Sequence, residues 1–281
     1  MNVNIVKNEN IADGIFRLTV SVPEQARGAQ AGQFINLYLP DADLLLPRPF
    51  GITDAYDDVI EIVYAVIGAG TERLSRLKAG EVIRALGPNG TGFDLAAAER
   101  KVLLIGGGLG IPPLLFAARK LRENAGPEGG AKITALLGFR DRPYYSSEFR
   151  AYCDRVFVIS EKRNASLPEN ASLDSTGVER TGTVVDLMNA LVAEGELAVT
   201  GTSILACGPI PMLRAVGEWA SERGIRAQFS LEARMGCGYG ACVGCSIELR
   251  DLESAGAGTV KQKVCTNGPV FDAERIVWDG L

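Results

Sequence analysis

Six cysteines and no histidine set the chemistry open to this chain. Four of the six, Cys237, Cys242, Cys245 and Cys265, fall within RMGCGYGACVGC and the VCTNGPVF that follows it. The spacing is C-x4-C-x2-C with a fourth cysteine after nineteen residues, and its first three members have the ligand spacing of plant-type [2Fe–2S] centres. Zinc ribbons and fingers space their ligands as two separated pairs, a different pattern. Gly236, Gly238, Gly240 and Gly244 suit turns closed to side chains, which bring N–H groups up to sulfur and tune the potential there. A structural zinc site, or a glycine-rich loop with buried thiols, is the plainer alternative. The lack of histidine removes Rieske ligation, histidine-ligated haem, His-containing zinc sites and Ser–His or Cys–His nucleophiles together.

Four further segments could hold a nucleotide. In Arg48-Pro49-Phe50-Gly51 a rigid proline fixes an arginine able to pair a phosphate or stack on a flat ring. Taken alone, the segment is better explained as a strand start with a solvated arginine. Gly68-Ala69-Gly70-Thr71 runs into a helical pattern, where N–H groups and the helix dipole favour a pyrophosphate and Thr71 is a cap or ligand. Together these two segments suggest a dinucleotide across one face of their domain. Gly106-Gly107-Gly108-Leu109-Gly110-Ile111-Pro112-Pro113 permits close approach of a second pyrophosphate, with a proline suited to the first turn of the next helix. It is not G-x-G-x-x-G, and no acidic residue stands at the offset that reads a ribose. Ala206-Cys207-Gly208-Pro209 puts a thiol at a strand's carboxyl end, near where a nicotinamide would lie, with a small residue in a packed turn as the alternative. Cys153 reads as a helix cysteine facing the core.

The elements that must position these residues divide the chain in three. Residues 1–98 carry strand-length runs, among them QFINLYLP, FGITDAY, VIEIVYAVI and EVIRALGP, at the spacing of a closed antiparallel β-barrel. Residues 99–230 alternate strands (KVLLIGG, KITALLGF, RVFVIS, SILACG) with helical patterns at PPLLFAARKLRE, SSEFRAYC, TVVDLMNALVAE and PMLRAVGEWASER, and a last strand, AQFSLEA, leads on. That alternation predicts a doubly wound parallel sheet with ligands at the carboxyl ends of its strands. Residues 231–281 form a small cluster-binding segment.

At 281 residues and 47% hydrophobic, the chain can bury two domains' worth of core. A net charge of −5 and the lack of a basic run argue against nucleic acid as a partner. The longest apolar stretch, VLLIGGGLGIPPLLFAA, is broken by glycines and prolines, so neither a membrane span nor a transit peptide is expected. With free thiols implied, the expected location is cytoplasmic.

RPFG and GAGT, then GGGLGIPPL and ACGPIPM, then CGYGACVGC and VCTNGPVF, in this order over nearly the whole chain, resemble the ferredoxin–NADP reductase superfamily. Within it the chain is most similar to the electron-transfer subunits of type B dihydroorotate dehydrogenases. The resemblance implies FAD bound through Arg48, Pro49, Phe50, Gly51, Val63, Tyr64, Ala65, Gly70 and Thr71. It implies a [2Fe–2S] cluster on the four cysteines and NAD at Gly106, Gly107, Gly108, Gly110, Cys207 and Gly208. The family often has serine where Gly51 stands, so at that position only backbone meets the flavin. The implied reaction is a relay in pyrimidine biosynthesis. An FMN-containing catalytic subunit, paired with this chain in a heterotetramer, oxidises dihydroorotate, and electrons pass through the cluster and FAD to NAD⁺. No catalytic base is expected in this chain, and Met235, Tyr239 and Val243 are expected at the partner interface. The alternatives are a reductase subunit serving ferredoxin, a hydrogenase or a sulfur-reducing partner, and, from another class, a zinc-binding module with no flavin.

Overall fold

Seven strand-length runs within the first ninety residues build one curled antiparallel sheet. A computed structural model describes residues 1–39, 43–124, 130–162, 180–252 and 258–281. The first domain contains β1 (Asn2–Ala12), β2 (Ile15–Ser21), α1 (Pro23–Gly28), β3 (Phe34–Tyr38), β4 (Arg48–Gly51), β5 (Asp54–Tyr56), β6 (Val59–Ala65), α2 (Ala69–Arg76) and β7 (Val82–Asn89). The strand order is β4-β3-β7-β1-β2-β6-β5. The two edges of that order are one continuous stretch: the Ile52 N–H donates to the Gln33 carbonyl (2.9 Å) and the Thr53 N–H to the Glu61 carbonyl (2.8 Å), so residues 48–56 close the barrel. Leu18, Ile35, Leu37, Ile52, Ile60 and Ile62 fill its interior without exposure to solvent.

The second domain contains β8 (Lys101–Gly107), α3 (Ile111–Glu123), β9 (Lys132–Phe139), β10 (Arg155–Ser160), β11 (Arg180–Thr181), α4 (Val184–Ala193), β12 (Thr202–Cys207), α5 (Ile210–Ser221) and β13 (Ala227–Ser230). Its apolar strands are buried on both faces, as a parallel sheet covered by helices requires. The order β11-β10-β9-β8-β12-β13 reverses direction at β8, and the crevice between the ends of β8 and β12 is the topological switch point. Prolines stand in the first turn of α3, as expected.

Two features depart from the sequence reading. SSEFRAYC is not an α-helix but a single 3₁₀ turn over Glu148–Ala151, held by N–H to carbonyl bonds three residues apart. Eight residues are too few to nucleate a helix unaided, and the chain entering them is tied elsewhere: Tyr145, at φ 57°, donates its hydroxyl to the buried Glu61 carboxylate of β6 at 2.6 Å. Cys153 is buried, as expected, though it follows this turn rather than riding a helix. The other feature lies near the chain's end. After the hairpin β14 (Ser246–Arg250) and β15 (Thr259–Lys263), β16 (Val270–Asp272) pairs antiparallel with β13 and extends the parallel sheet. The cysteine segment is therefore stitched to the second domain, with Leu249, Val264 and Ile276 sharing a core with Phe229. Barrel and sheet are joined by Arg119 of α3, whose Nε donates to both Asp54 carboxylate oxygens (2.9 and 3.0 Å) and whose Nη2 donates to the Ala55 carbonyl (2.6 Å).

Candidate cofactor cleft and metal centre

A cleft of about 260 Å³ opens where the three parts meet. Its barrel wall is made by Pro49, Phe50 and Gly51 of β4, Val63, Tyr64 and Ala65 of β6, and Thr71 of α2. Phe50 and Tyr64 pack with ring centroids 5.6 Å apart, and the Tyr64 hydroxyl donates to Asn8 Oδ1 at 3.1 Å. Gly51 lacks a side chain for a packing reason: a Cβ there would stand 2.8 Å from Cγ of Pro113, where barrel and second domain touch. Arg48 sits at the rim. Its guanidinium lies over Gly70, so close that a Cβ on Gly70 would meet Nε at 2.4 Å, and its Nη1 donates to the Leu46 carbonyl. A cation thus covers the first turn of α2, where free N–H groups also favour an anion. Thr71 Oγ1 caps that turn, accepting from the N–H groups of Ile67 (2.9 Å) and Gly68 (3.2 Å).

The second wall comes from the switch point. Leu109, Pro113 and Cys207 reach the cleft, while the glycines beside them shape the crevice behind it. A Cβ on Gly110 would lie 2.3 Å from the Cys207 carbonyl oxygen, and one on Gly107 would lie 2.6 Å from Met212 Sδ, so these glycines let the two strand–helix turns close on each other. Gly106 is pressed in the same way against Ile111, and Gly208 against Gly107. Gly108, at φ 54°, instead faces open space, where a ligand's backbone could approach. Burial and the nearby Glu232 carboxylate push the Cys207 thiol up to about 12. Glu232, open to the cleft's solvent but walled in, has its own carboxyl raised above the usual range by that burial.

The third wall belongs to the cysteine segment. Ala233 and Met235 precede the first cysteine, Pro269 follows the last, and all three line the cleft. In the loop between them Gly238 and Gly240 take φ of 72° and 92°. The turn aims backbone N–H groups at Cys237 Sγ, with Cys242 N at 3.3 Å. Together with those of Tyr239 and Ala241, they pull the thiol down to about 6. Cys237 also lies within side-chain hydrogen-bonding reach of Cys242, and Cys265 within reach of Cys245. Burial, and then Cys245, raise Cys265 to about 11. Among the described residues no three Cys, Asp or Glu side chains converge as they would around one metal ion. Backbone N–H groups aimed at a sulfur from a glycine-rich turn are the surroundings that the thiolates of an iron–sulfur centre take up. Cys245 and Cys265 are buried, whereas Cys237 and Cys242 are partly open.

Of the barrel residues named from sequence, Pro49, Phe50, Gly51, Val63, Tyr64, Ala65 and Thr71 line one wall, with Arg48 and Gly70 at the rim; of the second-domain residues only Cys207 lines the facing wall, and Gly106, Gly107, Gly108, Gly110 and Gly208 lie behind it. It also draws in residues that sequence reasoning passed over. Leu109, Pro113, Ser230 and Glu232 line the cleft, and Met235, expected at a partner interface, turns inward to it. Tyr239 and Val243 are exposed, at 54% and 74%. The signal for Pro113 lay in its motif; Glu232 had none.

A barrel closed by its RPFG strand, set against a doubly wound sheet with the cleft between them, defines a flavin- and nicotinamide-type reductase fold carrying an added cysteine centre. The same fold recurs in a ferredoxin–NADP⁺ reductase from Neisseria gonorrhoeae, at TM-score 0.61 and 17% identity over 80% of this chain and 91% of that one. An NADH-dependent reduced ferredoxin–NADP oxidoreductase is closer, at TM-score 0.78 and 28% identity over 99% of this chain and 91% of that one. Residues 232–277 match the model of the iron–sulfur cluster binding domain of dihydroorotate dehydrogenase B. Over nearly its whole length the chain is 31% identical to the electron transfer subunit of dihydroorotate dehydrogenase B (NAD⁺) from Caldanaerobacter subterraneus, covering 99% of this chain and 98% of the relative. It is 34% identical to the subunit of the same name from Streptococcus mutans, covering 99% and 98%. The chain belongs to the family of dihydroorotate dehydrogenase B electron transfer subunits.

Proposed function

We propose that this chain takes electrons from an FMN-containing catalytic subunit that oxidises dihydroorotate, and delivers them to NAD⁺ through a [2Fe–2S] cluster and FAD. The observation that carries the reading is the shared cleft: residues flanking the first and last cysteines, the barrel's β4 and β6, and the β8–β12 turns all line it. FAD and the cluster, when bound, supply the exchange between hydride and single-electron chemistry.

The chain's own residues bind and orient. The Arg48 guanidinium and the first turn of α2 around Gly70 and Thr71 hold phosphate charge. Phe50 and Tyr64 flank the ring system, while the backbone of Pro49, Gly51, Val63 and Ala65 offers it hydrogen bonds. Gly108, which faces open space, leaves room for the NAD pyrophosphate at the switch point, where Gly106, Gly107, Gly110 and Gly208 let the two turns close, and Cys207 stays a protonated thiol at the carboxyl end of β12. Cys237, Cys242, Cys245 and Cys265 hold the cluster as thiolates, with backbone N–H groups offsetting their charge. No residue of this chain acts as a base on dihydroorotate, because that substrate is oxidised on the partner. The exposed Tyr239 and Val243 beside the open cysteine pair belong to the partner interface in this reading. Two copies of each subunit form the assembly, in the cytoplasm, where thiols stay reduced. Among the described residues no helix is long and apolar enough to cross a membrane.

The test is anaerobic co-purification of this chain with its partner, followed by assay of dihydroorotate-driven NAD⁺ reduction. Activity needing both chains supports the proposal, and a flavin-loaded complex without that activity contradicts it. A second reading, a reductase subunit serving ferredoxin, is favoured by the likeness to the ferredoxin–NADP oxidoreductase structure. Ferredoxin reduction by the same preparation distinguishes it.

A further inference from the structure

Asn36 is a polar residue inside the apolar strand FINLY, and it is fully buried. Its neighbours Ile35 and Leu37 point into the barrel core. By strand alternation Asn36 faces the other way with Phe34, which lines the cleft. Its cross-strand partner is Pro49, part of the barrel wall of the cleft. From this position Asn36 Nδ2 donates to the Gly238 carbonyl at 3.1 Å, a bond spanning 202 residues of sequence. The amide lies flat on Gly238: a Cβ there would stand 2.4 Å from Nδ2 and 2.7 Å from Oδ1. Gly238 directly follows Cys237 and opens the turn whose N–H groups reach that sulfur.

Two other bonds hold the loop but leave this job undone. Lys263 Nζ donates to the Gly240 carbonyl (2.6 Å) from within the cysteine segment itself. The Thr91 N–H donates to the Gly268 carbonyl (2.5 Å) and ties the barrel to the loop's far end, beyond Cys265. The Cys237 end is joined to the barrel by Asn36. The arrangement has a cost, because Asn36 Oδ1 is the one buried side-chain polar atom among the described residues that has no partner. A leucine, with the same branching, would bury no unpaired oxygen, so within the protein the amide is offset only by its bond to the loop. Breaks of a local packing rule of this kind are expected at functional or strained sites.

We propose that Asn36 is a positioning residue that locks the Cys237 turn against the flavin wall of the barrel and so sets how fast electrons cross between cluster and FAD. The inference rests on the cofactor reading above. It deepens that reading by assigning the separation of the two centres to one side chain. With both centres bound, hydride from NADH would bring two electrons and a proton to FAD, of which one electron would pass to the cluster, reducing one Fe(III) to Fe(II), and the other would remain on the flavin.

The experiment compares anaerobic holoprotein of the natural sequence with Asn36→Leu and Asn36→Ser. FAD and iron contents, the EPR spectrum of the reduced cluster and the stopped-flow rate of cluster reduction after mixing with NADH are measured. Asn36→Leu is expected to keep FAD and iron, shift the EPR g-values, and slow cluster reduction several-fold. Asn36→Ser keeps a donor with a shorter reach and is expected to show the same changes at smaller size. A purely structural role would lower the melting temperature and leave g-values and transfer rate unmoved; that result in Asn36→Leu, or in Asn36→Ser if the leucine protein does not fold, overturns the proposal. A natural chain that lacks FAD or cluster, or whose cluster NADH leaves oxidised, contradicts the functional reading instead.

Discussion

The cysteine loop and the β8–β12 crevice are both glycine-built and both hold a cysteine at a turn, yet they bring sulfur to opposite states. Around Cys237 the turn points N–H groups inward, and the thiol falls to about 6. At Cys207 glycine serves to bring two turns together, Gly110 against the Cys207 carbonyl, and the sulfur is left buried near a carboxylate, rising to about 12. Glycine supplies only the close approach. Whether backbone N–H groups or a carboxylate stand near the sulfur, and how much water remains, decides between a metal-ready thiolate and an inert thiol.

The sharpest break of this comparison is a pair of serine substitutions. Cys245→Ser is expected to abolish the cluster, with loss of its visible absorbance and iron while FAD remains; Cys207→Ser is expected to keep iron and sulfide unchanged. Equal iron loss in both would erase the distinction. Next in size is thiol reactivity in cluster-free protein. At pH 7 a thiol near 6 is mostly thiolate, whereas one near 12 is ionised at roughly one part in 10⁵. Iodoacetamide followed by peptide mass spectrometry is expected to mark Cys237 well before Cys153 and Cys207. The Cys237 rate should hold above pH 7 and fall as pH drops through about 6, since the proton then returns to sulfur.

A site built on a side chain rather than on backbone gives a third contrast. Arg48→Ala is expected to loosen FAD by roughly 1.5–3 kcal/mol, the value of a hydrogen bond to a charged group, measured by fluorescence titration. Unchanged affinity would mark Arg48 as solvated only. The smallest effect separates the two kinds of glycine. Gly110→Ala drives a methyl into the Cys207 carbonyl and is expected to cost about 1–3 kcal/mol in urea unfolding and to weaken NADH binding. Gly244→Ala, whose nearest neighbour would be Cys242 Sγ at 3.7 Å, is expected to change stability by less than about 0.5 kcal/mol.

Much of this site could be read in the sequence because its signals are local. Cysteine spacing, glycine at strand ends and proline at a helix start each reflect a constraint settled within a few residues. The barrel and the doubly wound sheet were legible for the same reason, since strand and helix periods are written in neighbouring residues. Contacts across long stretches of chain were not legible. Nothing in VCTNGPVF shows that Val270–Asp272 will add to the edge of the parallel sheet, and nothing near Asn36 names Gly238 as its partner. Glu232 became part of the cleft only because β13 ends there and the chain turns along the wall. The 3₁₀ turn at Glu148–Ala151 was misread because its apolar spacing matched a helix, while the tie between Tyr145 and Glu61 that enters it comes from the other domain.

The most direct measurement is an anaerobic NADH titration of the purified chain, followed by visible absorbance and EPR. The account predicts a yellow-brown protein with FAD and with iron and acid-labile sulfide in equal amounts. NADH should bleach the flavin and bring up the EPR signal of a reduced [2Fe–2S] cluster in the same titration. A flavin that bleaches while the cluster stays oxidised, or a colourless protein holding zinc, would contradict the claim that one cleft joins the two centres.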